Sequence, residues 1–117
     1  MDLDSAVRAH AEWKTKFRSA IAKKEQLDAA RIQVDNACPL GQWLHGEART
    51  AHGKLASYGP CVEKHAAFHK EAGRIAAAIN AGDFAKAEAM MAGGTTYSNV
   101  SSEVGVAIIR LRTEARL

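Results

Sequence analysis

The sequence predicts an all-α protein built as a helical bundle, and three observations lead there. Only two of the 117 residues are proline, and Ala, Leu, Lys, Arg and Glu are frequent, which favours helix. Apolar residues recur at steps of three and four along most of the chain. No stretch shows the alternation of a strand. The length fits one domain that spans residues 1–117.

Composition and charge exclude several classes of protein. Hydrophobic residues make up 47% and charged residues 25%, the balance of a globular domain. The apolar stretch around Ile75 to Ile79 is far shorter than the roughly 20 residues of a membrane-spanning helix, so we expect no membrane insertion. The net charge of +3 is spread without a basic block, which argues against nucleic acid. The acidic start, Met1 to Asp4, lacks the order of a secretory signal and predicts a cytoplasmic protein whose cysteines are free thiols or ligands.

The first half of the chain predicts one long helix and one short one. The long helix runs from about Asp4 to Lys24, and the short one opens at Pro39, passes through Leu44 and ends near Gly46. Residues 25–37 lack periodicity and predict an ordered connection with a short turn of helix. The inward stripe of the long helix holds Leu3, Val7, His10, Trp13, Phe17 and Ile21.

The second half predicts two long helices. Pro60 suits the start of the first, which should end at the left-handed cap signal around Gly82; the segment 53–58 before it is too short to assign. Asp83 suits the N-cap of the last helix, which should run to about Glu114. Gly93-Gly94 is the weak point of that helix, which is either kinked there or packed closely against a neighbour, and we expect close packing. The two inward stripes hold Val62, His65, Phe68, His69, Ala72, Ile75, Ala76 and Ile79, and Phe84, Ala87, Met91, Val104, Ile108 and Leu111.

Histidines on these apolar stripes predict a metal site. His65 and His69 are spaced i, i+4, which lets two imidazoles on consecutive turns reach one ion. His10 lies on the inward stripe of the first helix, and Cys38 comes just before the short helix. Three imidazoles and one thiolate are donors that Zn²⁺ prefers, in a closed tetrahedral site. The sequence therefore predicts one Zn²⁺ per chain.

The spacing leaves Cys61 as a rival to Cys38 for the sulfur ligand. Cys61 stands four residues before His65, so it would share one helix with both histidines. Three ligands on three successive turns span too great a height for one ion, which favours Cys38. His45 and His52 lie in a polar, glycine-flanked stretch and are expected to be ordinary exposed side chains.

Three sequence blocks carry a family resemblance. They are His10-Ala-Glu-Trp13, Cys38-Pro-Leu-Gly-Gln-Trp43-Leu44 and His65-Ala-Ala-Phe68-His69. In this order and at these separations, the chain resembles the chemoreceptor zinc-binding (CZB) domain. The resemblance implies zinc ligation by His10, Cys38, His65 and His69. It also implies a four-helix bundle with an additional short helix, commonly a homodimer.

The resemblance further implies a sensory rather than an enzymatic role. Family members accompany a chemoreceptor signalling region or a diguanylate cyclase, in bacteria, and 117 residues hold neither. We therefore expect control of chemotaxis or cyclic-di-GMP signalling through such a partner, in cis or in trans. The implied inputs are zinc and oxidants such as hypochlorous acid, with Cys38 as the redox-reactive residue.

Other residues are expected to support the site or to extend its surroundings. Trp13, Trp43 and Phe68 should pack around the ligands, and Glu12 or Asp35 could orient an imidazole through its second nitrogen. A two-fold dimer would cover an apolar surface that a single bundle leaves exposed. That surface is expected to include Leu3, Met91, Val100, Val104, Ile108 and Leu111.

Three other helical classes are alternatives. A zinc hydrolase needs a carboxylate base, but Ala66 follows His65 where the His-Glu-x-x-His motif has glutamate. A hemerythrin-like di-iron protein needs bridging carboxylates that the inward faces do not supply. A histidine phosphotransfer module needs an exposed histidine, whereas the three candidate ligands lie on apolar stripes.

Overall fold

The computed structural model describes residues 1–117 and is entirely helical, with no strand. This confirms the predicted all-α class. The molecule is elongated, 43 × 25 × 19 Å along its principal axes. No helix combines the length and hydropathy that a membrane crossing requires. In chain order the helices are α1 Leu3–Ala11, α2 Trp13–Lys23, α3 Ala29–Ile32, α4 Pro39–His45, α5 Glu47–His52, α6 Tyr58–Asn80, α7 Phe84–Met90 and α8 Thr96–Ala115.

The predicted first helix is present but is interrupted for one residue. Asp2 caps α1 by accepting a hydrogen bond from the Ser5 N–H, as its short carboxylate side chain allows. The chain turns at Glu12 and continues as α2, which ends at Lys24 in the left-handed conformation. The α1 and α2 segments together form one arm of the fold.

The middle of the chain follows the predicted short helices, with one addition. Pro39 opens α4 and Gly46 ends it, and α3 is the predicted turn of helix in the connection. The additional helix, α5, lies just before the segment that the sequence left unassigned. Helix α6 begins at Tyr58, two residues earlier than predicted.

The predicted last helix is two helices. Helix α7 ends at Met90, and α8 starts only after Thr95, whose hydroxyl accepts a hydrogen bond from the Ser98 N–H. Gly94 lies in the turn between them with φ +80°, and a Cβ on Gly93 or Gly94 would meet no atom within 4 Å. The expectation of close packing at these glycines was wrong, because they make a turn rather than a helix contact.

The core lies between the first arm, α6 and α8, with the four short helices packed around them. Helix α6 has its most extensive contacts with α8 and also packs against α3 and α7. The residues predicted to form an apolar dimer surface are mostly buried inside this single chain, so they leave no such surface. Buried in the core are Leu3, Met91, Val104, Ile108 and Leu111, while Val100 is half-buried.

Candidate metal centre

Four side chains from three separate parts of the chain meet beside α6. They are those of His10, Cys38, His65 and His69, and their possible ligand atoms all lie within 4.8 Å of one another. The three histidines are buried and Cys38 is half-buried. All four residues are those that the sequence singled out.

The i, i+4 spacing on α6 and the position of His10 on α1 bring the three imidazoles together. His10 Nε2 lies 3.1 Å from His65 Nε2 and 3.3 Å from His69 Nε2. Phe68 packs against two of these rings, with its centroid 5.3 Å from that of His10 and 5.5 Å from that of His69. The rings therefore converge on one point through the same nitrogen.

The thiol of Cys38 completes the cluster from the N-terminus of α4. Its Sγ lies 3.2 Å from His65 Nε2, 3.5 Å from His69 Nε2 and 3.8 Å from His10 Nε2. The same sulfur caps α4 by accepting a hydrogen bond from the Gly41 N–H at 3.4 Å. A helix N-terminus favours negative charge at this sulfur.

Gly41 explains why the short helix can approach so closely. A Cβ at this position would lie 1.6 Å from the Asp35 carbonyl oxygen and 3.1 Å from His65 Cε1. Only a residue without a side chain lets α4 pack against both the preceding loop and the His65 ring. The glycine of the Cys-Pro-Leu-Gly block thus fixes the position of Cys38.

Backbone carbonyls set the tautomers of two imidazoles. His10 Nδ1–H donates to the Ala6 carbonyl at 2.7 Å, and His69 Nδ1–H donates to the Ile32 carbonyl at 2.8 Å. Burial lowers the pKa of both histidines below the ordinary value, so the rings are neutral. Each Nε2 therefore carries a lone pair directed into the cluster.

These carbonyls do what the sequence led us to expect of Glu12 or Asp35. Glu12 is exposed, and the Asp35 carboxylate instead accepts a hydrogen bond from His45 Nε2 at 2.8 Å. That expectation was wrong, because the second nitrogens of His10 and His69 donate to main-chain oxygens of α1 and α3 instead. His45 is exposed as predicted, whereas His52 is half-buried with its ring centroid 6.0 Å from that of Trp43.

Of the three histidines, only His65 has a ring that no main-chain oxygen holds in place. Its Nδ1 is buried and has no hydrogen-bond partner. Burial lowers the pKa of its ring to about 2, so this imidazole is also neutral. No signal in the sequence distinguishes His65 from His69 in this respect, because the acceptor for His69 belongs to the distant α3.

The donor set fits one zinc ion. Zn–N bonds of about 2.0–2.1 Å and Zn–S bonds of about 2.3 Å imply tetrahedral edges of roughly 3.3 Å between nitrogens and roughly 3.6 Å between nitrogen and sulfur. The nitrogen–sulfur separations of 3.2, 3.5 and 3.8 Å lie on both sides of the second value. The separations of His10 Nε2 from the other two Nε2 atoms, 3.1 and 3.3 Å, lie just below or at the first value. Two Nε2 lone pairs 3.3 Å apart, on His10 and His69, cannot form a hydrogen bond with each other because neither carries a proton. A cation satisfies both.

The remaining predicted residues lie at different distances from the cluster. Cys61 is fully buried on α6 but is not part of the cluster. Trp13 packs on Phe17, with ring centroids 5.4 Å apart, and shares a cavity wall with His10. Trp43 lies beside His52, and no ring contact joins it to a ligand.

Burial also acts on the two thiols. In the absence of metal it raises the pKa of the Cys38 thiol, and the N–H groups of Gly41 and Leu40 offset part of that rise. Burial alone raises the pKa of Cys61 to about 11. Of the two sulfurs, only Cys38 lies beside main-chain N–H groups that stabilise a thiolate.

Comparison with known proteins agrees with this chemistry. The family model described as "Chemoreceptor zinc-binding domain" matches residues 10–76, more than half of the chain, and this range contains all four residues of the cluster. No curated protein and no solved structure gave a match. The chain therefore belongs to the chemoreceptor zinc-binding domain family.

Proposed function

We propose that His10, Cys38, His65 and His69 bind one Zn²⁺ and that the state of this site sets the packing of the Cys38 segment, defined as residues 29–52. The observation that carries the proposal is the convergence of three imidazole nitrogens and one sulfur within 4.8 Å. Bound zinc would hold Cys38 as a thiolate and neutralise the repulsion between the donors. The chain would act as a sensory domain rather than as an enzyme.

The residues couple the site to the fold through three attachments. His10 belongs to α1, His65 and His69 belong to α6, and Cys38 opens α4. The His69 hydrogen bond to the Ile32 carbonyl adds α3. Retaining all four donors therefore requires α1, α3, α4 and α6 to keep one arrangement, and loss of a donor releases that requirement.

Cys38 would be the residue through which oxidants act on the same site. A thiolate and hypochlorous acid give a sulfenic acid and chloride, so the sulfur loses two electrons and the chlorine gains them. A sulfenic sulfur is a poorer donor, and its formation would favour the metal-free packing. Cys38 is half-buried, whereas Cys61 is fully buried, so the oxidant should reach Cys38 first.

No observation favours the catalytic alternatives. The cluster contains no carboxylate, whereas a di-iron centre needs bridging carboxylates. Four protein donors also leave no open position for the water that a catalytic zinc activates. The proposal therefore assigns a regulatory role to the site.

Metal analysis with X-ray absorption tests the site. We expect one zinc per chain with three nitrogen neighbours and one sulfur neighbour. Cys38→Ala should lose the sulfur signal and most of the metal, and Cys61→Ala should keep both. Retention of a sulfur neighbour in Cys38→Ala would contradict the ligand assignment.

Hypochlorite titration of the zinc-loaded protein tests the redox role. Zinc release should follow oxidation of one thiol per chain, and Cys61→Ala should behave like the unmodified protein. Zinc release that depends on Cys61, or oxidation of Cys38 without zinc release, would contradict the proposed response to oxidants. Neither result would contradict the zinc site.

We also propose that the chain works as a homodimeric four-helix bundle. Val106 and Ile109 on α8 are 49% and 48% exposed and adjoin a groove between α8 and the start of α6. A two-fold partner would cover them. Sedimentation of the unmodified protein should give a dimer, and Val106→Glu should dissociate it. A monomer for both proteins would contradict the proposed dimer.

The output would pass to a chemoreceptor signalling region or a diguanylate cyclase, in cis or in trans, and so to chemotaxis or cyclic-di-GMP signalling. Membership of the family supports this expectation. A fusion of the chain to a cyclase should change its rate of product formation on zinc addition. The same fusion carrying His69→Ala should not respond.

A further inference from the structure

A cavity of about 500 Å³ lies against the metal centre. It is open to solvent on one side and is lined by α1, the start of α2, α3 and residues 37–40, and three of the four donor residues, His10, Cys38 and His69, form part of its lining. His65 is fully buried and does not line it. The volume falls within the range of small-molecule sites.

Most of the cavity wall is apolar. The indole of Trp13 forms one side, and the Lys16 ammonium lies 4.6 Å from the centroid of that ring. The remaining apolar wall includes Ala6, Ala9, Ile32, Pro39 and Leu40. A ligand with an apolar, preferably flat, body would bury surface here.

The charges at the cavity are mainly positive. Lys16 and Arg31 line it, and neither forms an ion pair with a carboxylate. The one acidic residue of the lining, Asp2, already accepts hydrogen bonds from the Ser5 N–H and hydroxyl at 3.1 and 2.8 Å. Three neutral imidazoles, one thiolate and Zn²⁺ would add a net +1. Such a field favours an anion.

We propose that this cavity binds a small monocarboxylate with an apolar or aromatic body. The guanidinium of Arg31 matches the two oxygens of a carboxylate, and the wall beside Trp13 accepts the body. The ligand would contact α1, α3 and the residues on both sides of Cys38. It would therefore favour the same packing of the Cys38 segment as the metal does, and each would strengthen binding of the other. This linkage rests on the proposed function; the cavity and its two cations do not.

Titration of the ¹⁵N-labelled, zinc-loaded protein with benzoate tests the site, with benzamide as the uncharged control. Benzoate should shift the signals of the Trp13 indole and of the Ala9 and Ile32 amides. Arg31→Gln or Lys16→Gln should weaken benzoate binding roughly ten- to a hundredfold, the range for one hydrogen bond to a charged group. Neither variant should change the weak binding of benzamide.

A cavity-filling variant separates the cavity from the surface charges. Ala9 lines the cavity, and Ala11 lies on the same helix outside it. Ala9→Leu should abolish benzoate binding and Ala11→Leu should not, while both keep one zinc per chain. Benzoate shifts that survive Ala9→Leu, or equal binding of benzamide, would overturn the proposal. A protein that holds zinc but ignores benzoate refutes only the cavity site, and one that binds no zinc refutes the proposed function.

Discussion

The Cys38 segment and the α6–α8 pair are held together in different ways. Helices α6 and α8 have 23 and 20 residues, and large apolar side chains such as Ile75, Ile79 and Ile108 are fully or almost fully buried between and beside them. The Cys38 segment has three helices of four, seven and six residues. Helices this short are not stable alone. The comparison shows that burial along two long helices stabilises one region. The Cys38 segment anchors fewer side chains, such as Leu40 and Leu44, and depends in addition on its side-chain donors.

The largest effect should come from removing the metal. With free zinc at about 1,000 times the Kd, binding adds about 4 kcal/mol, so a chelator should lower amide protection in the Cys38 segment by roughly a thousandfold. The α6–α8 pair should keep most of its protection because its burial does not involve the ion. Hydrogen exchange with and without chelator measures this. Equal loss in both regions would show that they fold as one cooperative unit.

A core truncation in α8 should destabilise the α6–α8 pair and leave zinc binding intact. Ile108 is fully buried, so Ile108→Ala should lower the free energy of unfolding by about 2–5 kcal/mol. Zinc stoichiometry should stay at one per chain. The surface variant Asn99→Ala, at an exposed position of α8 outside the groove, should change stability by only about 0.5 kcal/mol or less. Denaturant unfolding measures both, and zinc loss in folded Ile108→Ala would contradict the separation of the two regions.

Gly41 in the Cys38 segment and Gly105 in α8 should respond differently to the addition of a Cβ. Gly41→Ala would drive a Cβ into the Asp35 carbonyl, so it should destabilise by about 1–3 kcal/mol and weaken zinc binding. Gly105→Ala lies in α8, where the added Cβ meets no atom within 4 Å, and should stabilise by up to about 1 kcal/mol. Thermal unfolding and a zinc competition titration distinguish these outcomes. Normal zinc affinity in Gly41→Ala would show that this contact does not position Cys38.

The smallest effect concerns an exposed contact between the start of α6 and the end of α8. Glu114 accepts hydrogen bonds from the Ser57 hydroxyl and N–H at 2.6 and 2.8 Å, which lower the pKa of its carboxyl. A lowered carboxyl pKa contributes stability above the ordinary value of about 4.3, and this is lost as the pH falls through the folded-state pKa. Glu114→Gln should therefore make the free energy of unfolding depend less on pH below about pH 5. The same pH dependence in Glu114→Gln and in the unmodified protein would contradict this role.

The sequence predicted the helices and their inward faces well but failed where a contact involves main-chain atoms and where a helix ends. The stripe that holds His65 and His69 follows from local periodicity, and so does the start of α4 at Pro39. The break after α7 was missed because composition alone does not show whether Gly93-Gly94 bends a helix or ends it. The carbonyl partners of His10 and His69 were missed because any residue type can supply a main-chain oxygen. The apolar surface was overestimated because α6 itself covers the face of α8.

The opposed lone pairs have a consequence for the protein once the ion leaves. Three basic nitrogens and a sulfur then crowd a point that no positive charge occupies, and like electron density pushes them apart. We expect the arrangement to relax by swinging one ring outward. His10 and His69 are anchored to carbonyl oxygens, and His65 is not, so the moving part should be His65. Metal recapture would then require that ring to return to the cluster, so the apo domain must rebuild one ligand each time it binds the ion.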